Sequence, residues 1–221
     1  MSSVYHMGHI IKECVEFRNR AETSRGRPSR GRDFYESAWS TLNTLMESKL
    51  KKRQGCSIGG FGDFTWEFQR NGEETRCRPI YLINDNFVKD HHIRHNKFHL
   101  PGELCSCEEI NYSNLAVKFS NCMTKDMIYS ALRDIFKKIG EYVDRFCEFD
   151  IEFTFGTWKC KERRVRFEFN YAHLAEVSII KCIYVFIYFI CDVHFVIDLA
   201  RVDAGGNGYE AVWILAAIFR Y

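Results

Sequence analysis

The sequence predicts an α+β protein made of two small units of the same plan, followed by a hydrophobic tail. Each half contains an amphipathic helical stretch and, after it, residues that alternate between apolar and polar. Each half also places a glycine and a tight turn between its alternating stretches, which is typical of antiparallel strands. A chain of 221 residues is long enough for two small domains with modest cores.

Composition excludes general disorder and indicates a cytoplasmic protein. Apolar residues make up 46% of the chain and aromatic residues 15%, which is ample material for packed cores. The net charge of +2 does not by itself predict an acidic partner. The ten cysteines are scattered, and residues 1–12 lack the apolar core of a signal peptide. We therefore expect free thiols in a reducing compartment.

Residues 1–33 predict a short helix followed by a linker. Apolar residues lie between Ile10 and Phe17, and an arginine-rich run with Ser, Gly and Pro extends from Arg18 to Arg32. We interpret the run as a solvated tether. The alternative is an electrostatic contact with nucleic acid or with an acidic protein surface.

The first unit begins with a helix from Phe34, and Asp33 is placed to cap its start and Gly55 to end it. Its apolar side chains recur at steps of three and four residues, which predicts one buried face. Those side chains are Ala38, Trp39, Leu42, Leu45, Met46 and Leu50.

A glycine-containing stretch then leads into a β-hairpin. The stretch lacks the lysine and hydroxyl residue of a phosphate loop, so we assign it a structural role in starting and bending the strand. It contains Gly59, Gly60, Phe61, Gly62 and Phe64. A turn at Asn71-Gly72 is predicted to pair Glu67 with Arg76, and a short helix is expected around 86–92.

The second unit repeats this order. Leu115 to Phe119 is predicted as a strand, and Thr124 is predicted to cap a long helix whose inward residues extend to Phe146. Alternation from Phe149, a bend at Gly156 and a second hairpin that ends at Phe169 follow.

The ordered set of these segments resembles a known family. The run from Gly55 to Phe64 is similar to the start of the sheet in bacterial HU and IHF proteins. The order and spacing of the fuller set resemble the eukaryotic coiled-coil domain-containing protein 81 family over roughly residues 34–170. The fuller set consists of Ala38-Trp39-Ser40, Arg78-Pro79-Ile80-Tyr81, Pro101-Gly102-Glu103 and 143–155.

The resemblance implies two tandem HU/IHF-like domains, each with helices and a small antiparallel sheet. These are HU-like domain 1 at 34–107 and HU-like domain 2 at 108–170, preceded by residues 1–33 and followed by the hydrophobic tail 171–221. It also implies a pairing fold, in which the two domains pair within one chain or the protein forms a homodimer. The implied location is the cytoplasm, at the cytoskeleton and the microtubule-organising centre (centrosome).

The bacterial members bend DNA by inserting a proline-tipped β-arm into the minor groove. Here the tip runs from Arg70 to Glu74, with two acidic residues and no proline. DNA bending by that route is therefore not expected, although nucleic-acid binding by an IHF-like DNA-binding fold stays as the alternative function. The main expectation is a non-catalytic scaffold whose partners are proteins at the centrosome or cilium.

The second hairpin carries the sharpest candidate site for an anionic partner. With a turn at Glu162-Arg163, Lys159 faces Arg166 and Lys161 faces Arg164. Like charges directly across a ladder are unfavourable, which indicates either a phosphate or acidic partner or a solvent-screened face. Three further candidates on the first hairpin are Arg70, Arg76 and Arg78.

Metal binding, cofactors and catalysis are not expected. His91, His92, His95 and His99 lie near Cys105 and Cys107, but the cysteine pair is spaced more tightly than zinc ligands usually are. Cys147 and His173 match no nucleophile motif. In the tail, charged residues interrupt the apolar run 179–199, so a membrane span is not expected. One hypothesis is that 171–221 come from an extended gene model.

Overall fold

Helices pack against two small sheets in the computed structural model, which describes residues 4–23, 31–71, 74–94, 100–120 and 122–174. The compact unit that contains these residues ends at Leu174. Most of the hydrophobic tail, and with it the gene-model hypothesis, lies outside the described residues. No helix within the described ranges is long and apolar enough to cross a membrane.

The first half has the order helix, helix, three strands and a short helix. A two-residue strand precedes it, and two short strands follow it. These elements are β1 (Tyr5–His6), α1 (Met7–Thr23), α2 (Arg32–Lys51), β2 (Gly55–Ile58), β3 (Gly62–Asn71), β4 (Glu74–Ile83), α3 (Asp85–Asp90), β5 (Glu103–Leu104) and β6 (Cys107–Glu109).

The second half repeats the order with shorter strands. Its elements are α4 (Tyr112–Phe119), α5 (Lys125–Asp144), β7 (Phe149–Phe153), β8 (Gly156–Lys161) and β9 (Arg164–Phe169). Thr124 accepts a hydrogen bond from the Met127 amide at the start of α5, as the sequence predicts. The predicted α+β architecture, with two halves of the same plan, is therefore confirmed.

The strands form two separate sheets. One sheet has the order β4-β3-β2-β6, with β5 pairing on β3, and the other has the order β1-β7-β8-β9. The three main strands of each half are antiparallel, whereas β6 and β1 add in parallel at the far edges. Consequently β4 and β9 are the opposite edges of their sheets.

Helix α1 belongs to the core, although the sequence indicates only a short helix before the first domain. Ile10, Ile11 and Cys14 are buried, and Arg18 forms an ion pair with Asp134 of α5 at 3.0 Å. The tether interpretation is therefore wrong for the start of the arginine-rich run, since Arg18 and Arg20 lie in this helix. Residues 24–30 lie outside the described ranges.

Three local predictions are wrong. Residues 115–119 belong to α4 and not to a strand, because the Asn111 side chain accepts hydrogen bonds from the Ser113 and Asn114 amides and starts a helix. Asp33 lies in the first turn of α2, where Gly31 is the N-cap. The helix ends before Gly55, because Arg53 adopts the left-handed conformation with φ of 57°.

Gly55 has a different role, in β2. A Cβ atom built there would lie 2.6 Å from the carbonyl oxygen of Ser106, so the parallel strand β6 approaches at a distance that only glycine allows. The prediction that Phe146 points inward is also wrong. Its side chain is 59% exposed, because α5 ends before it, at Asp144. The Arg163 guanidinium lies 3.9 Å above its ring.

The register of the first hairpin differs from the predicted one by two positions. Asn71 pairs with Glu74, so Glu67 faces Arg78 and not Arg76. The two loop positions are therefore Gly72 and Glu73, which are outside the described residues. An even shift leaves the apolar face intact, because side chains alternate with a period of two.

Glu67 is a buried carboxylate in this hairpin. It forms an ion pair with Arg78 and accepts a hydrogen bond from the Gly102 amide at 3.0 Å. Burial of the carboxyl group raises its pKa, but the bonds from Arg78 and Gly102 outweigh burial and hold the pKa below its ordinary value. The chain segment before β5 thus covers a charge that would otherwise face solvent.

The two halves share one core. Trp39 of α2 packs on Phe153 of the second sheet with ring centroids 4.8 Å apart, and its indole donates to the Glu152 carbonyl. Asn43 of α2 accepts a hydrogen bond from the Thr154 amide at 3.1 Å. Phe64 of the first sheet contacts the rings of the second directly. Each half therefore completes the core of the other.

Replacing Ile10 with Ala is expected to lower the free energy of unfolding by about 2–5 kcal/mol, because it leaves a cavity beneath α1. Chemical denaturation of the full chain followed by circular dichroism measures this change. Lys12→Ala, on the exposed side of the same helix, is the matched control and should change stability by about 0.5 kcal/mol or less. Equal effects of the two substitutions would show that α1 is not part of the core.

Acid is expected to destabilise the fold, in part through Glu67. A carboxyl group whose pKa is lowered by folding stabilises the native state above its ordinary pKa, and that stability is lost as the pH falls through the lowered value. Glu67→Gln should therefore lower the melting temperature at neutral pH and make it depend less on acidification. Glu36→Gln, at an exposed position of α2, is the control and should keep the wild-type pH dependence.

Candidate binding surfaces

The second hairpin has the register that the sequence predicts. Lys159 pairs with Arg166 and Lys161 with Arg164, on either side of a two-residue loop. Both loop residues, Glu162 and Arg163, have positive φ angles, of 51° and 58°, as a type I′ turn requires. All four cations therefore lie on one face of the sheet, the face opposite the core.

Acidic side chains interleave with these cations. Glu168 forms ion pairs with Lys159 at 2.8 Å and with Arg166 at 2.9 Å. Lys161 forms an ion pair with Glu148 at 3.2 Å. The hydrogen bond from Lys159 holds the pKa of Glu168 below its ordinary value. This outer face therefore has mixed charge, which the pairing of like charges in the sequence does not reveal.

Arg164 is the exception on this face. It is exposed, and no carboxylate of the described residues lies within ion-pair distance of its guanidinium. It stands beside the loop, directly across from Lys161. Among the described residues, the hairpin cation without a carboxylate partner therefore lies at the loop end, next to the loop residues Glu162 and Arg163.

The three arginines of the first hairpin do not form one patch. Arg76 and Arg78 share a face with Gln69 and Glu67, their partners on β3. Arg70 pairs with Thr75 and belongs to the opposite face, because adjacent residues of a strand alternate. Arg78 is half exposed but already bound to Glu67.

A groove lies between the edge strands β4 and β9, which approach one another without pairing. Its volume is about 640 Å³, within the range of roughly 300–1,000 Å³ that is common for ligand pockets. Its walls are mostly apolar, with Arg78, Arg166 and Asp85 as the charged members. The lining residues are Arg78, Pro79, Ile80, Tyr81, Leu82, Ile83, Asp85, Leu100, Val165, Arg166, Phe167, Phe169 and Tyr171.

The glycines singled out in the sequence determine how closely the strands pack. A Cβ atom on Gly62 would meet the Tyr81 ring at 2.7 Å, and a Cβ atom on Gly156 would meet the Phe167 ring at 2.5 Å. The two glycines thus have the same role in the two hairpins. Gly60 has a positive φ of 76°, while Gly59 lies beside Glu109. Phe61 and Phe64 are fully buried in the core.

The histidines and cysteines are dispersed. His91 bonds Asp144 at 3.0 Å, and His173 bonds Glu47 at 2.8 Å. Within the described ranges, no three or more His, Cys, Asp and Glu side chains are arranged to hold a metal ion. His95 and His99 lie outside those ranges. Burial raises the pKa of Cys14 and Cys160 to about 12 and that of Cys56 to about 11.

The sequence did not indicate the groove or the burial of Glu67. Both depend on segments that are distant along the chain: the groove needs β4 and β9 side by side, and Glu67 needs Gly102 above it. One signal was available, because a proline within a strand pattern predicts an edge strand, and Pro79 lies in β4.

Two known protein families match this sequence, one after the other. Residues 12–95 match the family described as CCDC81 eukaryotic HU domain 1, and residues 106–181 match CCDC81 eukaryotic HU domain 2. The first match begins within α1, ahead of the start at residue 34 that the resemblance indicated. The two matches follow one another in the order of the family, and together they cover most of the chain. The chain therefore belongs to the CCDC81 family of proteins with tandem eukaryotic HU domains.

Proposed function

We propose that this chain is a non-catalytic scaffold that binds protein partners at the microtubule-organising centre or at ciliary microtubules. The observation that carries the proposal is the charge pattern of the second sheet. Glu148 and Glu168 offset three of its four hairpin cations. A surface of alternating charge beside an apolar groove suits a protein surface better than a uniform array of phosphates.

A non-catalytic role is supported by the chemistry of the side chains. HU-like domains are generally non-enzymatic. Burial raises the pKa of the Cys147 thiol, which makes it a poor nucleophile, and His173 is engaged by Glu47 of α2. Binding then remains the way in which this fold acts on other molecules.

The pairing of the two halves supports the scaffold interpretation. The shared core lets one chain present two HU-like sheets in a fixed relation, so that a homodimer is not needed to complete the fold. We propose that this intramolecular pairing replaces the dimer of the bacterial proteins. The contacts that support it are those of Trp39 and Asn43 with the second sheet.

The location is inferred from the family resemblance alone. At microtubules, the acidic C-terminal tails of tubulin are a partner that suits Arg164, which pairs with no carboxylate of the described residues.

Nucleic-acid binding is the second candidate, and one observation favours it. The hairpin register places Lys159, Lys161, Arg164 and Arg166 on one face, as a phosphate-binding surface requires.

Tubulin is expected to bind the full chain saturably near physiological salt, whereas duplex DNA should bind only at low salt. Fluorescence anisotropy with each partner labelled in turn measures both affinities under the same conditions. Tight, saturable DNA binding without tubulin binding would replace the scaffold proposal with the nucleic-acid one.

Changing Lys159, Lys161, Arg164 and Arg166 together to Ser is expected to weaken tubulin binding by about tenfold or more, because the outer face becomes acidic. The matched control changes the same number of cations elsewhere to Ser, namely the exposed lysines Lys12, Lys89, Lys118 and Lys125. Both variants should keep the wild-type circular dichroism spectrum. Unchanged affinity in a folded hairpin variant would show that this face is not the binding surface.

A further inference from the structure

We propose that the free edge of β9 binds an extended segment of a partner protein, which adds a strand to the second sheet and alternates apolar with acidic residues. This inference rests on the proposed protein-binding function and specifies the class of partner. It combines three features: the orientation of the β9 backbone, the apolar groove and the cations of the hairpin.

The backbone of β9 presents hydrogen-bonding groups to the groove. In a hairpin with a two-residue loop, the closing pair exchanges hydrogen bonds, and the pairs that exchange bonds then alternate along the ladder. Here the closing pair is Lys161 with Arg164, so Val165, Phe167 and Phe169 direct their N–H and C=O groups away from β8. No other described residue bonds those groups.

The side chains of the same residues form one wall of the groove. Val165, Phe167 and Phe169 are only half buried, and all three line the volume of about 640 Å³. A strand added beside β9 would place every second side chain over this wall and remove apolar surface from water. Alternate residues of the partner segment should therefore be apolar.

The remaining residues of the segment would lie on the charged outer face, beside Arg164 and Arg166. These arginines already face lysines across the ladder, which is unfavourable. Acidic residues on an added strand would flank the arginines from the other side. Glu168 supplies this compensation at one end of β9, whereas Arg164 at the other end has no carboxylate partner among the described residues. The six residues of β9 limit the segment to about that length.

The facing edge, β4, is less suited to the same mode of binding. In this hairpin the closing pair is Asn71 with Glu74, and the pairs that exchange hydrogen bonds alternate from there. The pair of Pro79 with Trp66 is one that exchanges none, so the Pro79 nitrogen points away from β3. A proline there costs the hairpin no ladder bond but removes an outward N–H donor, as is usual at a protected edge. Val165 occupies the equivalent position of β9, four residues before the strand end.

The probe is the peptide Glu-Val-Asp-Ile-Glu-Val-amide with fluorescein on its N-terminus, titrated with the full chain and followed by anisotropy. We expect it to bind at least about tenfold more tightly than a peptide of the same composition with its acidic and apolar residues in separate blocks. In an added strand only every second peptide amide faces β9. N-methylation of that set of amides should abolish binding, and N-methylation of the other set should not. Equal binding of all these peptides would overturn the inference, because charge alone would then explain the attraction.

Two variants test the edge itself. Val165→Pro removes one outward donor, as Pro79 does in β4, and should weaken peptide binding about tenfold while the circular dichroism spectrum and melting temperature stay near wild type. Arg164→Glu should weaken it similarly and should prefer a peptide with Lys in place of Glu and Asp. Lys118→Glu on α4 is the matched charge control and should bind as wild type. If Val165→Pro does not fold, the charge exchange with Arg164→Glu decides alone.

Other occupants of the edge would be recognised in the same experiments. Displacement of the peptide by duplex DNA, or a dimer of the chain that Val165→Pro dissolves, would overturn the inference in favour of nucleic acid or a second copy. Peptide binding that survives a failure to bind tubulin would support the edge and remove only the proposed location. Tubulin binding without peptide binding would overturn the inference and leave the scaffold proposal standing.

Discussion

The sharing of one aromatic core between the two halves is the constraint on which the rest of the structure depends. Phe61 of the first half packs against Phe136 and Trp158 of the second, with ring centroids 4.7 and 5.4 Å apart. Each half has one sheet with one apolar face, and a single small sheet with so few helices buries little surface. The two halves therefore stabilise one another, and neither is expected to fold well alone.

The groove is a consequence of that core. Tyr81 and Phe167 each pack against a glycine of the neighbouring strand, and their own rings are 5.9 Å apart. This contact draws β4 and β9 together without allowing a ladder between them. Two strand edges then face the same volume, one of them limited by Pro79. A surface with binding potential thus arises from packing that first of all stabilises the fold.

Local patterns predicted local features well. Thr124 caps α5, and the turn at Glu162 and Arg163 sets the second hairpin, because both depend only on residues close in sequence. Predictions failed where a distant segment decides the outcome. Gly55 makes room for Ser106 instead of ending a helix, and Glu67 is buried by a segment that follows it by some thirty-five residues. No periodicity within one element contains that information.

The two hairpins show how similar units acquire different roles. In the first, the two main strands have ten residues each, and the buried Glu67 of β3 neutralises Arg78. The short strand β5 pairs with β3 beside Glu67. In the second, strands of six residues have an open edge and leave Arg164 without a carboxylate partner among the described residues. Charge that is satisfied internally contributes to stability, whereas exposed and unsatisfied charge is available to a partner. The second hairpin is therefore the part of the described fold at which we propose that a partner binds.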